Sequence, residues 1–160
     1  MIEARIPYSF TRSLGVNLSW AEVLDGIDRC LLTCDFTRDK ASDELNESST
    51  QLLIDLAISD PGEPMRCKVA QLASLEDTAP NTSRLLYVLV SYLRKHEQQT
   101  RRILDLVEEI YADFDYPSCL AKAVRYMPLE GPDLGSLEAN ESRLLANLDN
   151  YLATPPDSPP

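Results

Sequence analysis

The chain has 160 residues, of which 44% are hydrophobic and 26% are charged, close to the averages of soluble globular proteins. Its 26 Asp and Glu residues outnumber its 15 Lys and Arg residues, which gives a net charge of −11. Such an acidic surface repels phosphate backbones, so direct binding to nucleic acid is disfavoured. The charge is compatible with a basic protein partner and, equally, with a role in solubility alone.

The first predicted helix begins directly after Ser19. Ser19 and Glu22 have the spacing of a capping box, in which each residue satisfies a backbone N–H group of the other. Apolar residues then recur at helical spacing from Trp20 to Cys34, which predicts one stripe that faces a core. Before this helix, only residues 2–6 could alternate as a strand.

Three further helices are predicted before residue 80. Thr37 is expected to cap a polar helix near 38–47, and Ser49 is expected to cap a more apolar one. A turn signal follows, after which Pro64 suits the first position of a helix that continues through 65–73.

The second half of the chain has the strongest helical patterns. An apolar helix is predicted around 86–93, and a well-patterned amphipathic helix from Ile103 to Phe114, which must end before Pro117. A short helix is expected over 118–127, and Ser136 is expected to cap a final helix. The sequence therefore predicts an all-α fold.

The predicted architecture is a single-domain bundle of about seven or eight helices over residues 1–153, in which stacked antiparallel helical hairpins are one arrangement. The Pro-rich tail, residues 154–160, is expected to be disordered. No repeat of fixed period supports a solenoid.

The sequence offers no convincing metal site. The four cysteines lie among apolar neighbours and are expected to be buried structural residues. Cys30 and Cys34 could share a zinc ion only if ligands from among Cys67, Cys119 and His96 converged on it from other helices. No metal, and no other cofactor, is therefore expected.

Catalytic motifs are also missing from the sequence. It contains no nucleophile elbow, no phosphate-binding loop and no dinucleotide fingerprint, and its one histidine, His96, fits the basic end of a helix. No catalytic residue or small-molecule substrate is expected, and the chain is not predicted to be an enzyme. The N-terminal residues resemble no secretory signal, and the longest apolar run, 85–90, cannot span a membrane. A cytoplasmic location without membrane association is expected.

Acidic residues outnumber basic ones in the segments 35–63, 103–117 and 129–160, whereas 84–102 is locally basic. Three of the acids on the 103–114 helix lie off its apolar stripe and are expected to face outward. One interpretation is a solvated helix face; the other is an anionic surface that docks a basic partner. The candidate partner-binding residues are Asp105, Glu108, Glu109, Asp113, Asp115, Tyr116, Glu130 and Asp133.

The run Tyr111–Pro117 combines three aromatic residues with two acids at the end of a helix, where carboxylates oppose the helix dipole. Aromatic and acidic residues on a loop can form an interface with another protein. They can equally fix a tight corner between helices through hydrogen bonds to the backbone. Both interpretations remain open at the level of sequence.

Three blocks resemble a known family: Leu18-Ser19-Trp20, the run from Glu109 to Pro117, and Arg125-Tyr126-Met127-Pro128. They are similar to the recurring blocks of a bacterial domain of unknown function that is associated with polymorphic toxins and contact-dependent growth inhibition. The resemblance covers nearly the whole chain. It implies a cytoplasmic immunity protein that binds a toxin domain, with a uridylate-specific-endoribonuclease-like RNase as the most specific expectation.

The expected partner is therefore a cognate toxin, a basic nuclease domain bound in a one-to-one complex whose cationic groove the acidic chain would cover. One alternative is a generic helical adaptor or regulator whose partner is not a toxin. A carboxylate-dependent enzyme is a further alternative, disfavoured by the missing motifs.

Overall fold

The computed structural model describes residues 4–45, 50–60, 65–76, 81–128 and 131–156. Within these ranges the chain forms eight α-helices and one 3₁₀ helix, and its one extended pairing is an isolated bridge between Ile6 and Leu32. The prediction of an all-α fold is confirmed. None of the described helices is long and apolar enough to cross a membrane. The helices are α1 Tyr8–Ser13, α2 Trp20–Asp28, α3 Phe36–Glu44, α4 Gln51–Ala57, α5 Arg66–Leu75, α6 Thr82–His96, α7 Thr100–Asp113, the 3₁₀ helix Ser118–Ala123 and α8 Leu137–Leu152.

The chain divides into two compact units, an N-terminal unit within Glu3–Val88 and a C-terminal unit within Leu89–Pro159. In the N-terminal unit α2 packs on α5, and α3 packs on both α1 and α4. In the C-terminal unit α7, the 3₁₀ helix and α8 pack on one another. The extent of the predicted domain, 1–153, stays a prediction, and most of the Pro-rich tail, 157–160, lies outside the described residues.

The start of α2 has the capping box that the sequence predicts. The Ser19 side chain accepts a hydrogen bond from the Glu22 N–H group, and the Glu22 carboxylate accepts one from the Ser19 N–H group at 2.7 Å. Two further N–H groups of this turn, those of Trp20 and Ala21, donate to the Glu76 carboxylate at 3.0 and 3.2 Å. A carboxylate at a helix N-terminus also complements the helix dipole, so Glu76 fixes the end of α5 against the start of α2.

The end of α2 differs from the sequence prediction. The apolar stripe predicted to continue to Cys34 is interrupted, because α2 ends at Asp28 and Cys30 adopts a left-handed conformation with φ of 57°. The Cys30 and Leu31 N–H groups donate back to Ile27 and Gly26, each at 2.9 Å, which is a Schellman motif. Leu31 is still buried, but it lies beside Ile6 in an extended segment, so its apolar character indicates the core and not a helix.

Two predicted helix caps also need correction. Thr37 lies buried inside α3, whose N-cap is Asp35, and so it does not cap this helix. The N-cap of α4 is Thr50, whose side chain accepts a hydrogen bond from the Leu53 N–H group. Ser49 and Pro64, which were predicted to open helices, lie outside the described residues.

The prediction that the cysteines are buried is wrong. All four cysteines are free and exposed. Cys30 is exposed because it occupies the left-handed position after α2, and Cys67 lies in the first turn of α5. An apolar stretch of sequence does not show which face of a helix or turn a small residue occupies. Among the described residues there is no group of three or more His, Cys, Asp or Glu side chains placed to hold a metal ion.

Helix α1 was not predicted from the sequence, because six residues are too few to show a helical pattern. It packs against α3 through a polar contact. The Tyr8 hydroxyl donates a 2.7 Å hydrogen bond to the Asp43 carboxylate, which also pairs with Arg12. Burial, followed by the hydrogen bond to Asp43, raises the pKa of Tyr8 to about 12. The fold therefore favours the neutral phenol.

We expect this raised pKa to make the stability of the protein decrease in the alkaline pH range. The stabilisation from neutral Tyr8 is fully present below about pH 10, the pKa of an unfolded tyrosine, and is lost as the pH rises through the folded value. Subtracting the ultraviolet titration curve of Tyr8→Phe from that of the unaltered protein should isolate one phenol with a midpoint near 12. A midpoint near 10 would contradict the hydrogen bond to Asp43.

Candidate partner-binding surface

Helix α7 separates an apolar stripe from a polar face, as its sequence predicts. Ile103, Val107 and Ile110 are fully buried. On the other face Asp105 and Glu108 are partly exposed, and Glu109 is exposed. The buried stripe fixes the rotation of α7 about its axis, and this places the three carboxylates at the surface of the C-terminal unit.

Two of these carboxylates are held by a cation that follows the 3₁₀ helix. The Arg125 guanidinium donates to Glu108 at 2.8 and 3.1 Å and also pairs with Asp105, and the Arg125 N–H group donates to Glu108 at 3.2 Å. These hydrogen bonds, first from Glu108 and then from Asp105, raise the pKa of Arg125 above its usual value. Asp105 and Glu108 are therefore held in position and partly neutralised, whereas the sequence suggested two open acids.

A third carboxylate extends this cluster. Glu141 of α8 lies 4.0 Å from Arg125 and 3.8 Å from Arg101 of α7, measured between guanidinium nitrogen and carboxylate oxygen. Its side chain is only 13% exposed. The resulting network connects α7, α8 and the segment that follows the 3₁₀ helix, so it fixes the surface at which they meet.

The backbone turns sharply where α7 ends. The Asp115 N–H group donates to Ala112 at 3.2 Å and the Tyr116 N–H group donates to Tyr111 at 2.8 Å, a Schellman pattern that closes the helix. Asp115 and Tyr116 both have positive φ values, 58° and 57°. This conformation costs most residues about 1–2 kcal/mol each, and glycine much less. The run Tyr111–Pro117 therefore contains a corner that backbone-to-backbone hydrogen bonds close, whereas the sequence suggested side-chain bonds to the backbone.

We expect Asp115→Gly to raise the free energy of unfolding by up to about 1 kcal/mol, because glycine adopts a positive φ without steric cost. Asp115→Val should lower it by about 1–2 kcal/mol, because a β-branched side chain fits this conformation poorly. Urea denaturation followed by circular dichroism measures both, and Asp115→Asn is the control that keeps the tolerance for positive φ. Equal stability of the Gly and Val variants would mean that Asp115 is not held in this conformation.

The corner presents a cluster of tyrosines. Tyr111 is buried, and its ring centroid lies 5.4 Å from that of Tyr116 in an edge-to-face arrangement and 6.1 Å from that of Tyr126. Tyr116 and Tyr126 are each 59% exposed. Partial desolvation, and then the neighbouring Tyr111, Tyr116 and Glu108, raise the pKa of Tyr126. Two large aromatic surfaces thus lie open beside the carboxylates.

The outcome differs among the three other predicted residues, Asp113, Glu130 and Asp133. Asp113 is exposed in the last turn of α7, and Glu130 lies outside the described residues. Asp133 accepts hydrogen bonds from the Asn140 side chain at 2.7 Å and the Gly135 N–H group at 2.9 Å, and these lower its pKa. Asp133 therefore orders the loop before α8.

A model of one protein family, described as an uncharacterized protein conserved in bacteria, matches residues 8–155. The chain belongs to this family, DUF2247. The match includes α1 to α8, and with them the corner, the tyrosine cluster and the network around Arg125. No curated protein and no solved structure matches this DUF2247 chain.

Sequence reasoning missed three residues of this DUF2247 surface. Arg125, Tyr126 and Glu141 join the predicted residues only through the packing of α7 on α8 and the 3₁₀ helix. One signal was present, since Arg125 is one of only three cations after residue 102. An isolated cation in an acidic segment often pairs with neighbouring acids, but the sequence does not show which ones.

Proposed function

We propose that this chain is an immunity protein that binds and neutralises a toxin domain of a contact-dependent growth inhibition system. The toxin is a nuclease, with a uridylate-specific-endoribonuclease-like RNase as the most specific candidate. The chain covers the cationic groove of the toxin in a one-to-one complex and acts without a cofactor. The observation that carries the proposal is the acidic surface of the C-terminal unit, with two exposed tyrosines beside its carboxylates.

The distribution of charge supports a cationic partner. Residues 103–160 contain eleven Asp and Glu against three Lys and Arg, a local excess of negative charge that follows the basic segment 84–102. A nuclease must attract phosphates and so carries a positive groove. Complementary potentials raise the association rate of two proteins far above the neutral value, which suits an antidote that must act before its toxin cuts RNA.

The rigidity of the surface supports tight binding. Arg125 fixes Asp105 and Glu108, so these side chains lose little additional freedom when a partner binds. Effective neutralisation requires a dissociation constant of about 1 nM or below, which corresponds to about −12 kcal/mol. Exposed tyrosines are among the residues that most often anchor interfaces of this strength.

Co-expression with the toxin domain encoded immediately upstream tests the proposal. We expect the chain to restore growth of cells that make the toxin, and to co-purify with it in a one-to-one complex. A catalytically inactive toxin is the control, since it should bind the chain equally well without affecting growth. If cells that make both proteins in soluble form stop growing as fast as cells that make the toxin alone, the proposal is wrong.

A further inference from the structure

Two aromatic faces and several carboxylates meet at the end of α7. Tyr116 and Tyr126 are more than half exposed, and both rings pack against the buried ring of Tyr111. Glu108 is close enough to affect the pKa of Tyr126, and Asp115, which precedes Tyr116 in the chain, is exposed. A cation is the ligand that both kinds of group attract, since aromatic faces and carboxylates are each electron-rich.

The position of Tyr116 requires backbone strain. Its φ is 57°, a conformation that a bulky aromatic residue rarely adopts, and its N–H group is held by Tyr111 at 2.8 Å. Strain of this kind persists where the surrounding structure imposes it, and it is concentrated at binding sites. Here it keeps the Tyr116 ring against Tyr111 and exposed to a partner.

The cation that lies nearest in sequence is already engaged. Arg125 precedes Tyr126, but its guanidinium donates to Glu108 and Asp105. These bonds hold the backbone before Tyr126 as well, because the Arg125 N–H group also donates to Glu108 at 3.2 Å. Arg125 thus positions Tyr126.

We propose that the exposed rings of Tyr116 and Tyr126, which pack against the buried Tyr111, form a cation site that receives the guanidinium group of an arginine of the partner protein. An arginine fits better than a lysine, because the planar guanidinium stacks on aromatic rings and is less strongly hydrated than an ammonium group. Asp115, the exposed residue that precedes Tyr116 in the chain, supplies negative charge beside the site. The identity of the partner rests on the proposed function, whereas the cation site can be tested without any toxin.

Nuclear magnetic resonance of protein with ¹³C-labelled tyrosine tests the site directly. We expect Nα-acetyl-arginine methylamide to shift the ring signals of Tyr116 and Tyr126 in a saturable way. The citrulline analogue has nearly the same size but no charge, and it should bind at least about fivefold more weakly. Tyr8, whose hydroxyl is bound to Asp43, serves as an internal reference that should not shift.

Two variants assign the shifts to the cluster. Tyr126→Leu removes one exposed ring, and Tyr116→Asn removes the other while keeping a residue that tolerates positive φ. Each variant should abolish the saturable shift of the remaining ring, while the other signals keep the positions they have in the unaltered, folded protein. Equal binding of arginine and citrulline derivatives, or no saturable shift in the unaltered protein, would overturn the cation site.

The outcomes of this test and of the co-expression test can be separated. If the chain rescues growth but does not discriminate arginine from citrulline, the cation site is wrong and the immunity function stands. If the tyrosines bind the arginine derivative but the chain does not rescue growth, the site stands and its partner is a basic protein other than that toxin.

Discussion

Replacing Arg84 with methionine should lower the free energy of unfolding by about 3–5 kcal/mol, the usual cost of removing one partner from a buried ion pair. Arg84 donates to the Glu22 carboxylate at 2.8 Å, and the two side chains are only 3% and 1% exposed. Among the described residues, the buried carboxylate that this variant leaves keeps the hydrogen bond that it accepts from the Ser19 N–H group. This ion pair therefore connects the start of α2 to α6 inside the N-terminal unit.

A second variant separates the charge from the packing. Glu22→Gln combined with Arg84→Met removes both charges, yet the glutamine can still accept the Ser19 hydrogen bond, so we expect the double variant to recover at least half of the lost stability. Guanidinium denaturation followed by circular dichroism measures all three proteins.

The control for the Arg84 prediction is an exposed ion pair of the same unit. Arg66 donates to Asp28 through two nitrogens at 2.6 and 2.8 Å, but the side chains are 58% and 42% exposed. Arg66→Met should therefore cost no more than about 1 kcal/mol. If Arg84→Met costs no more than Arg66→Met, the pair between Arg84 and Glu22 does not stabilise the N-terminal unit.

The second large effect concerns association with the partner. Changing Glu109 to lysine and Asp115 to asparagine should lower the association rate constant at low ionic strength by at least about tenfold, because steering depends on local charge. Stability should change little, since a lysine near the C-terminal end of α7 complements the helix dipole and asparagine tolerates positive φ. Stopped-flow mixing with the inactive toxin domain measures this rate.

The control for the charge variant is Asp39→Lys with Asp60→Asn. Both residues are exposed in the N-terminal unit, and the two pairs of substitutions change the net charge equally. We expect the control to slow association by no more than about threefold. If both pairs slow it equally, overall charge controls association and the surface at the end of α7 has no special part.

Local signals in the sequence predicted much of the fold. The capping box of Ser19 and Glu22 is present, Ser136 caps α8 through the Ala139 N–H group, and α7 ends before Pro117. These features depend on residues within a few positions of one another, so their chemistry is visible in the sequence.

Features that depend on tertiary contacts could not be predicted. Leu31 continues the helical spacing of α2 but is buried in an extended segment beside Ile6, so periodicity alone assigned the wrong structure. The residue predicted to cap α3, Thr37, is the second residue of the helix, because α3 begins at Phe36 with Asp35 as its N-cap. The segment 118–127 was expected to be helical, and only Ser118–Ala123 is, as a 3₁₀ helix.

The candidate surface likewise combines features that depend on residues close in sequence, which were predicted, with features that depend on tertiary contacts, which were not. Sequence analysis correctly placed Glu109 on the exposed face of α7 and offered a corner within Tyr111–Pro117 as one of two interpretations. It did not predict that Arg125 would fold back onto Asp105 and Glu108, because that pairing requires the 3₁₀ helix to pack on α7. The site therefore contains fewer open acids than the sequence suggests, and one more aromatic ring.

Isothermal titration calorimetry of the chain with the inactive upstream toxin domain, at about 50 mM and about 500 mM salt, measures the central claim most directly. An acidic surface that covers a cationic groove predicts a one-to-one complex with a dissociation constant of about 1 nM or below at the lower salt, weakened at least about tenfold at the higher. No detectable binding, or an affinity that does not change with salt, would contradict the account.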